Sequence, residues 1–452
     1  MSYDIFCQSV IGASHIKKEI PCEDSGLKSE IDSFKVFVLG DGHGDSNCPR
    51  SKIGSQYICE ITTQELLRFA KDIESQEWTH RLFDKADSEM LVNQLVTSIF
   101  GKWSCAVNNE YEQNPLTEKE CEEAIEYIDR YKQGQRIEHI YGTTLIAGLL
   151  TSDYLLLLQQ GDGRCVVFNS DGSASQPIPW DDRCFANVTT SVCDVDAIPS
   201  CRYHIINLSD NPVIACIAGS DGVEDSFNSM DKMHVYYRNL LQFACENGVE
   251  ALEKHLGETL PDFSANGSGD DTTICGIVDI EAFKSKLEVM AQDNEIIMIK
   301  DEIARAQERI DSMTNKLQFL KKKYEDATSE FNAVESRFNV LENEYKSIES
   351  DIKDLSEADN NSQTTAPSDA ISEAIAVITE LKNRFLSSSS LYCLKQRLER
   401  IQQEKEDLLK ELDVAKAKKD ACEAEYVPYK ERYDGYVKAK EDAQKRLDEL
   451  NA

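Results

Sequence analysis

Five acidic turns hold the residues of this sequence that could do chemistry. The first is Leu39-Gly40-Asp41-Gly42-His43-Gly44-Asp45, which follows an apolar run from Phe34 to Leu39 and turns sharply on glycines. A carboxylate placed there sits at a strand end with its oxygens free, and the glycines let backbone approach a ligand closely. Alone, Asp41 is an ordinary turn residue, since Asp-Gly is a common hairpin signal. Four further acidic turns follow: Glu23-Asp24, Gly161-Asp162-Gly163-Arg164, Ser220-Asp221-Gly222-Val223-Glu224-Asp225 and Asp270-Asp271-Thr272-Thr273. Carboxylates brought together without cations repel strongly, so a convergent set implies a bound divalent metal.

Residues 1–280 supply the elements that must position those turns. Short strand-like runs recur at Val36–Leu39, Thr144–Leu150, Tyr154–Gln159, Arg164–Phe168, Tyr203–Leu208, Val213–Ala218 and Thr273–Val278. Helical spacing appears at about Gly54–Ile73, Ser88–Asn108, Thr117–Lys132 and Met230–Ser264. Strands and helices mix without strict alternation, which predicts an α+β fold rather than a doubly wound sheet.

Beyond Ile280 the character changes. Gly435 is the only glycine there, and Pro367 and Pro428 are the only prolines. Ile303, Ile310, Leu317, Tyr324, Phe331, Phe338, Tyr345 and Ile352 recur every seven residues, with Ala306, Met313, Leu320, Ala327, Val334, Leu341, Ile348 and Leu355 three further on. These are the a and d positions of a coiled coil. A polar turn at 357–369 separates this arm from a second seam through Ile401, Leu408, Ala415, Cys422, Tyr429, Tyr436, Ala443 and Leu450. The expectation is a coiled-coil domain over 282–452, with arms 282–356 and 370–452 folded as an antiparallel hairpin; parallel dimerisation of each arm is the alternative. Pro428 should kink the second arm or mark a boundary.

Composition narrows the function. Of the 452 residues, 1–281 hold 21 Lys/Arg against 46 Asp/Glu, a net −25, and the remainder holds 28 against 36, a net −8. A surface that acidic repels a phosphate backbone, which argues against nucleic acid as a partner. No run of about 18 apolar residues exists to span a membrane, and the N-terminus lacks the pattern of a secretory signal. Fifteen cysteines without a Cys-x-x-Cys pair fit neither a zinc site nor a disulfide framework. They point to reduced thiols and a cytoplasmic protein.

In order, the turns resemble the metal-dependent serine/threonine phosphatases of type 2C (PPM), most closely their bacterial branch. The resemblance covers residues 8–280. It rests on Gly12-Ala13-Ser14-His15, Pro21-Cys22-Glu23-Asp24-Ser25, Asp41-Gly42-His43-Gly44, Gly142-Thr143-Thr144, Gly161-Asp162-Gly163-Arg164, Ser220-Asp221-Gly222 and Asp270-Asp271-Thr272-Thr273. It implies an αββα sandwich, two antiparallel sheets flanked by helices, with the site in a cleft at one end. It also implies two Mn²⁺ or Mg²⁺ ions. Asp41 matches the aspartate bridging them, the Gly42 carbonyl ligates one, Asp221 and Asp270 match ligands of the second, and Glu23 and Asp24 match the acidic pair that contacts the metals or their waters. Asp162 and Asp225, with Asp221, match a third, weaker metal site. His43 matches the general acid that protonates the departing serine or threonine oxygen.

One departure bears on substrate. Where eukaryotic members carry a phosphate-gripping arginine, this sequence has Glu19, with Lys17 and Lys18 as substitutes that lack a bidentate fork. His15, Lys17 and Lys18 otherwise read as a solvated loop, Gly142-Thr143-Thr144 as structural, and Arg164 as paired with a nearby acid. The expected function is hydrolysis of phosphoserine or phosphothreonine in a phosphoprotein, with the coiled coil binding a partner or self-associating. The rivals are a pseudophosphatase acting as an interaction protein and a phosphohydrolase of small molecules.

Overall fold

The computed structural model describes residues 2–124, 126–185, 188–361 and 370–451. They fall into two compact units, Met1–Met298 and Ile299–Ala452. The first contains strands β1 (Tyr3–Val10), β2 (Ser25–Ile31), β3 (Phe34–Gly40), β4 (Leu145–Leu150), β5 (Tyr154–Gln160), β6 (Arg164–Asn169), β7 (Ala174–Ser175), β8 (Arg202–Asn207), β9 (Val213–Gly219) and β10 (Thr272–Asp279). Its principal helices are α1 (Ala13–Lys18), α2 (Ser51–Ser75), α3 (Lys85–Gln113), α4 (Met230–Asn247) and α5 (Val249–Asn266).

Two five-stranded sheets form, in the orders β1-β10-β9-β6-β7 and β2-β3-β4-β5-β8. Every strand pairing is antiparallel. The period-2 alternation of a strand then assigns each side chain of β3 to a layer. Phe37 and Leu39 enter the core between the sheets with Ile146, Leu157, Cys216 and Ile277. Val36 and Val38 face the other way, under Ile58, Leu66 and Trp103 of α2 and α3. On the far sheet Phe6, Ile217 and Ile274 pack against Tyr237, Leu241 and Leu256 of α4 and α5. Strands covered on both faces have no side to leave polar, which is why these runs are continuously apolar although the pairing is antiparallel. This is the expected αββα sandwich.

All seven expected strands are present. Sequence periodicity passes over β1, β2 and the two-residue β7; β2 is an edge strand whose seven residues are all half-buried or exposed, so it carries no apolar run. The pattern at Met230–Ser264 reads as one helix but forms two, because Gly248 at the junction adopts φ +89°, a conformation a helix cannot continue through. Thr117–Lys132 likewise divides into short helices at Glu118–Glu123 and Ile128–Lys132.

The C-terminal helices α6 (Leu287–Asn361) and α7 (Ala370–Leu450) run antiparallel. Their cross-links descend along one helix as they ascend the other: Glu302 with Arg446 at 3.1 Å, Lys323 with Glu425 at 3.0 Å and Arg337 with Glu411 at 3.2 Å. The d-type residues Met313, Leu320, Ala327, Val334 and Ile348 are buried, as are Ile401, Leu408, Ala415 and Cys422 of the second helix, and Val334 packs with Leu408 and Ala415. The aromatic a positions are only half-buried and lie at the rim under lysine ammonium groups, Lys419 Nζ 5.0 Å from the centre of the Phe331 ring and Lys405 Nζ 4.9 Å from that of Tyr345. A cation over a ring face is attracted by the ring quadrupole, which stabilises these half-exposed aromatics. Helix α7 continues through Pro428, so the boundary expected there is absent. Of the polar turn, residues 362–369 lie outside the described residues. No described helix is long and apolar enough to cross a membrane.

Candidate active site

Asp41 leaves the end of β3, and its own N–H and carbonyl are both held by Thr143 and Thr144. Its N–H donates to Thr144 Oγ1 at 3.1 Å, and its carbonyl accepts from Thr144 N at 2.8 Å and Thr143 Oγ1 at 2.9 Å. The Gly142-Thr143-Thr144 segment is therefore structural, as its sequence suggests: it fixes the turn on which Asp41 stands. Gly42 is compressed between turns. A Cβ there would lie 2.8 Å from the Glu23 carbonyl oxygen and 3.0 Å from Ser51, so only glycine lets the Glu23-Asp24 turn close on this loop.

The Glu23-Asp24 turn hangs from Asp271, which is 3% exposed. Asp271 Oδ1 accepts from Gly12 N at 2.6 Å, and its Oδ2 from Glu23 N at 2.6 Å and more distantly from Asp24 N at 3.4 Å. His15 Nδ1 lies 3.0 Å from the same Oδ2. One side chain thus ties α1, the acidic turn and the start of β10 together. Glu23 Oε1 accepts from Ser51 Oγ at 2.6 Å at the first turn of α2. Asp24 Oδ2 accepts from Thr273 Oγ1 at 2.7 Å. Asp221 opens the short helix Asp221–Glu224 after β9, and its neighbour Gly222 touches the Asp271 carbonyl. Asp162 follows Gly161, with its N–H donating to Thr189 Oγ1 at 3.1 Å.

The electrostatics bring the acids together. Burial, then repulsion from Asp221, Asp24 and Asp162, holds the Asp41 carboxyl well above its ordinary range. Asp24 is raised chiefly by burial, with Asp271 and Asp221 adding to it. Asp221 is raised by burial and by Asp162, Asp270 and Asp225. Asp162, Asp225 and Glu23 are also raised, each first by burial. Asp270 is the exposed member, with its side chain 52% accessible. Lys17 and Lys18 are exposed at the end of α1, and the residue of that helix turned into the cluster is His15. Arg164 pairs with Glu224, Nε to Oε2 at 2.7 Å, as its sequence reading expects.

His43 is turned to Ser191, Nε2 to Oγ at 2.7 Å. Ser191 Oγ spends its own hydrogen on the Thr143 carbonyl at 3.0 Å. Nε2 is therefore the donor to Ser191, and Nδ1 carries the free lone pair. Burial, assisted by His139, pushes the imidazole down to about 4, so the ring is neutral near pH 7.

Among the described residues, no three His, Cys, Asp or Glu side chains are disposed to hold a metal ion as they stand. The donor set nonetheless fits a hard divalent cation. It is all oxygen, it is crowded with like charge, and Glu23 Oε2 is buried with no hydrogen-bond partner. Gly44, at φ +59°, leaves room beside that oxygen: a Cβ would stand 3.1 Å from it.

The positioning residues Asp271, Thr273, Ser51 and Ser191 are not legible as such in the sequence, and His15 reads there as solvated. Only Asp271 and Thr273 carry a signal, as members of the Asp-Asp-Thr-Thr motif.

Among solved structures, the chain resembles a bacterial serine phosphatase at 16% identity and TM-score 0.38, covering 62% of this chain and 98% of that one. It also resembles the serine/threonine phosphatase Stp1 from Staphylococcus aureus (15%, TM-score 0.38, 62% and 95%). A third is the serine/threonine phosphatase PstP/Ppp of Mycobacterium tuberculosis (15%, TM-score 0.37, 62% and 99%). No curated protein matches the sequence. The profile of the Protein phosphatase 2C family matches residues 11–261, over half of the chain, and the chain belongs to that family.

Proposed function

We propose that residues 1–280 form a protein phosphatase that hydrolyses phosphoserine and phosphothreonine with two Mn²⁺ or Mg²⁺ ions. The observation supporting this reading is the convergence of Asp24, which is buried, with the half-buried Asp41 and Asp221, where desolvation, with mutual repulsion added to it, raises all three carboxyls. Asp41, the Gly42 carbonyl, Asp221, Asp270, Glu23 and Asp24 would hold the ions, with Asp162, Asp225 and Asp221 as a weaker third site. When bound, such ions neutralise the phosphoryl oxygens and lower the pKa of water, which is most of what phosphoryl transfer requires.

The chain's own residues set the geometry. The Thr143-Thr144 clamp fixes Asp41, Asp271 fixes the Glu23-Asp24 turn, and Ser191 orients His43. Neutral near pH 7 and with Nε2–H committed to Ser191, His43 would accept at Nδ1 the proton given up by the attacking water and return it to the departing alkoxide. Lys17 and Lys18 would bring positive charge to the phosphate as point charges rather than a fork. The fifteen free cysteines support a cytoplasmic setting. The hairpin of 282–452 would bind a partner or self-associate.

A second reading, a pseudophosphatase that binds partners without turnover, is favoured by one observation: Glu19 stands at the arginine position, in a left-handed cap at φ +59°. Substrate assays separate these readings. With Mn²⁺ present, phosphoserine and phosphothreonine peptides should release phosphate well above nucleoside monophosphates and sugar phosphates. Preference for the small molecules would assign a metabolic phosphohydrolase, and turnover of neither class by metal-loaded protein would favour the pseudophosphatase.

A further inference from the structure

Strand β8 ends its sheet and pairs with β5 on one side only. In an antiparallel ladder alternate residue pairs exchange both backbone bonds, and the residues between them point theirs the other way. Leu208 N donates to the Asp153 carbonyl at 2.9 Å, which makes 153 and 208 a bonded pair. Stepping by two along the register, Ile206, His204 and Arg202 turn their backbone groups to β5. Tyr203, Ile205 and Asn207 therefore turn theirs outward. The Asn207 carbonyl accepts from Asn211 N at 2.9 Å, whereas the N–H and C=O groups of Tyr203 and Ile205 have no partner among the described residues. This row does not lie on a flat surface. It runs along a groove of about 660 Å³. One wall is Leu82 and Phe83 of the short helix Trp78–Phe83, and the other is Ser175 and Pro177, at and just after β7, the edge of the other sheet. Phe83 is 42% exposed, with nothing apolar covering it on the groove side. The two faces of β8 differ. Tyr203 and Ile205 pack with the layer under α2 and α3, and Ile206 and Leu208 lie in the core between the sheets.

We propose that the free edge of β8 binds an extended segment of a partner protein, which joins the sheet as an antiparallel strand. Whatever fills this groove must offer its own alternating row of N–H and C=O groups about 4.8 Å from β8, and an extended chain does so. Its residues on the Tyr203 and Ile205 face meet Leu82 and Phe83, so apolar side chains belong at alternate positions there. Running antiparallel, its N-terminal end lies at Asn207. Asp153 and Asp210 are exposed at that end, so a basic residue ahead of the apolar ones is complementary in charge. A second copy of this chain fits poorly, because its own β8 lies between walls of its own. Two copies would also bring together units whose residues 1–281 each carry a net −25. The proposal concerns a surface of the first unit and rests on no step of phosphate hydrolysis.

Ile205→Pro removes an outward N–H and leaves the ladder to β5 whole, since proline is accepted on an edge strand where its N–H would not pair. Peptides from a random library, depleted on the full-length variant and then selected on the parent chain, should carry apolar residues at alternate positions after a lysine or arginine. By fluorescence anisotropy each should bind the variant at least about 10-fold more weakly than the parent, as expected for losing one or two hydrogen bonds of the added strand. Thermal unfolding reports whether the variant is folded. N-methylation of a selected peptide tests the same pairing on the parent chain alone. Methyl groups on one alternate set of amides should weaken binding by about 10-fold or more, and on the other set should leave it unchanged. The absence of any enriched peptide, equal binding to a folded Ile205→Pro, or equal effects of the two methylated sets would overturn the proposal. So would sedimentation showing a parent oligomer that dissociates in Ile205→Pro, which would give this edge to a second copy.

Discussion

Asp271→Asn is expected to destabilise the first unit by about 3 kcal/mol and to abolish metal-dependent turnover together with it. The carboxylate is 3% exposed, accepts N–H groups from Gly12, Glu23 and Asp24, and faces His15. Burial alone would raise it, but the His15 contact and the backbone donors outweigh burial, and it is held below its ordinary range. Asparagine keeps one acceptor oxygen and presents an NH₂ group to the other donors, so at least one backbone N–H is left facing a donor in a buried place. The Glu23-Asp24 turn then loses its anchor while the rest of the sandwich keeps its core. Urea unfolding followed by intrinsic fluorescence measures the loss; an unchanged midpoint would mean that the turn is held by something other than Asp271.

Arg50→Met should cost a comparable amount, about 3 kcal/mol, through a different part of the molecule. Arg50 is 7% exposed and sits at the residue before α2. Its Nε and Nη2 grip Glu120 at 2.7 and 3.0 Å, and its Nη1 reaches Glu110 at 3.0 Å and the Tyr141 hydroxyl at 3.2 Å. Nη2 also donates to the Pro115 carbonyl at 3.1 Å. One guanidinium therefore staples the segment after α3 to the helix whose Ser51 supports Glu23. Methionine fills much of the volume but leaves two carboxylates facing each other without a cation. The same change alters the acid limb of stability. Arg50 is the first cause holding the Glu120 carboxyl down at about 2. A depressed carboxylate contributes stability above its unfolded value of about 4.5, and that contribution is lost as pH falls from there toward 2. In Arg50→Met, stability should depend less on pH across this window. An unaltered acid limb would show that Glu120 is not the group responsible.

What the sequence makes legible follows from what local chemistry demands. Strands β3, β4, β5, β9 and β10 lie between two apolar layers, so their runs are continuous and plain to read. The acidic turns are readable because glycine and aspartate have few reasons to recur together in that order. The hairpin is readable because a seam must repeat every seven residues. Contacts that join distant segments leave no periodic trace. The grip of Arg50 on Glu120 links residues 70 apart, and Asp271 supports a turn 248 residues earlier. His15 reads as a solvated loop residue because a six-residue helix is too short to show amphipathic spacing. His43 is readable as a candidate acid, yet its tautomer depends on Ser191, 148 residues away, and on the Thr143 carbonyl beyond it.

The central claim is that the clustered carboxylates form a metal-dependent hydrolytic site. Its most direct test is p-nitrophenyl phosphate hydrolysis by the full chain, with and without Mn²⁺, compared with Asp41→Ala. The account predicts turnover that requires Mn²⁺ and falls by at least about 10³-fold in the variant, which keeps its fold because the Thr143-Thr144 clamp grips the backbone of Asp41 and not its carboxylate. Mn²⁺-independent hydrolysis, or equal hydrolysis by Asp41→Ala, would contradict it.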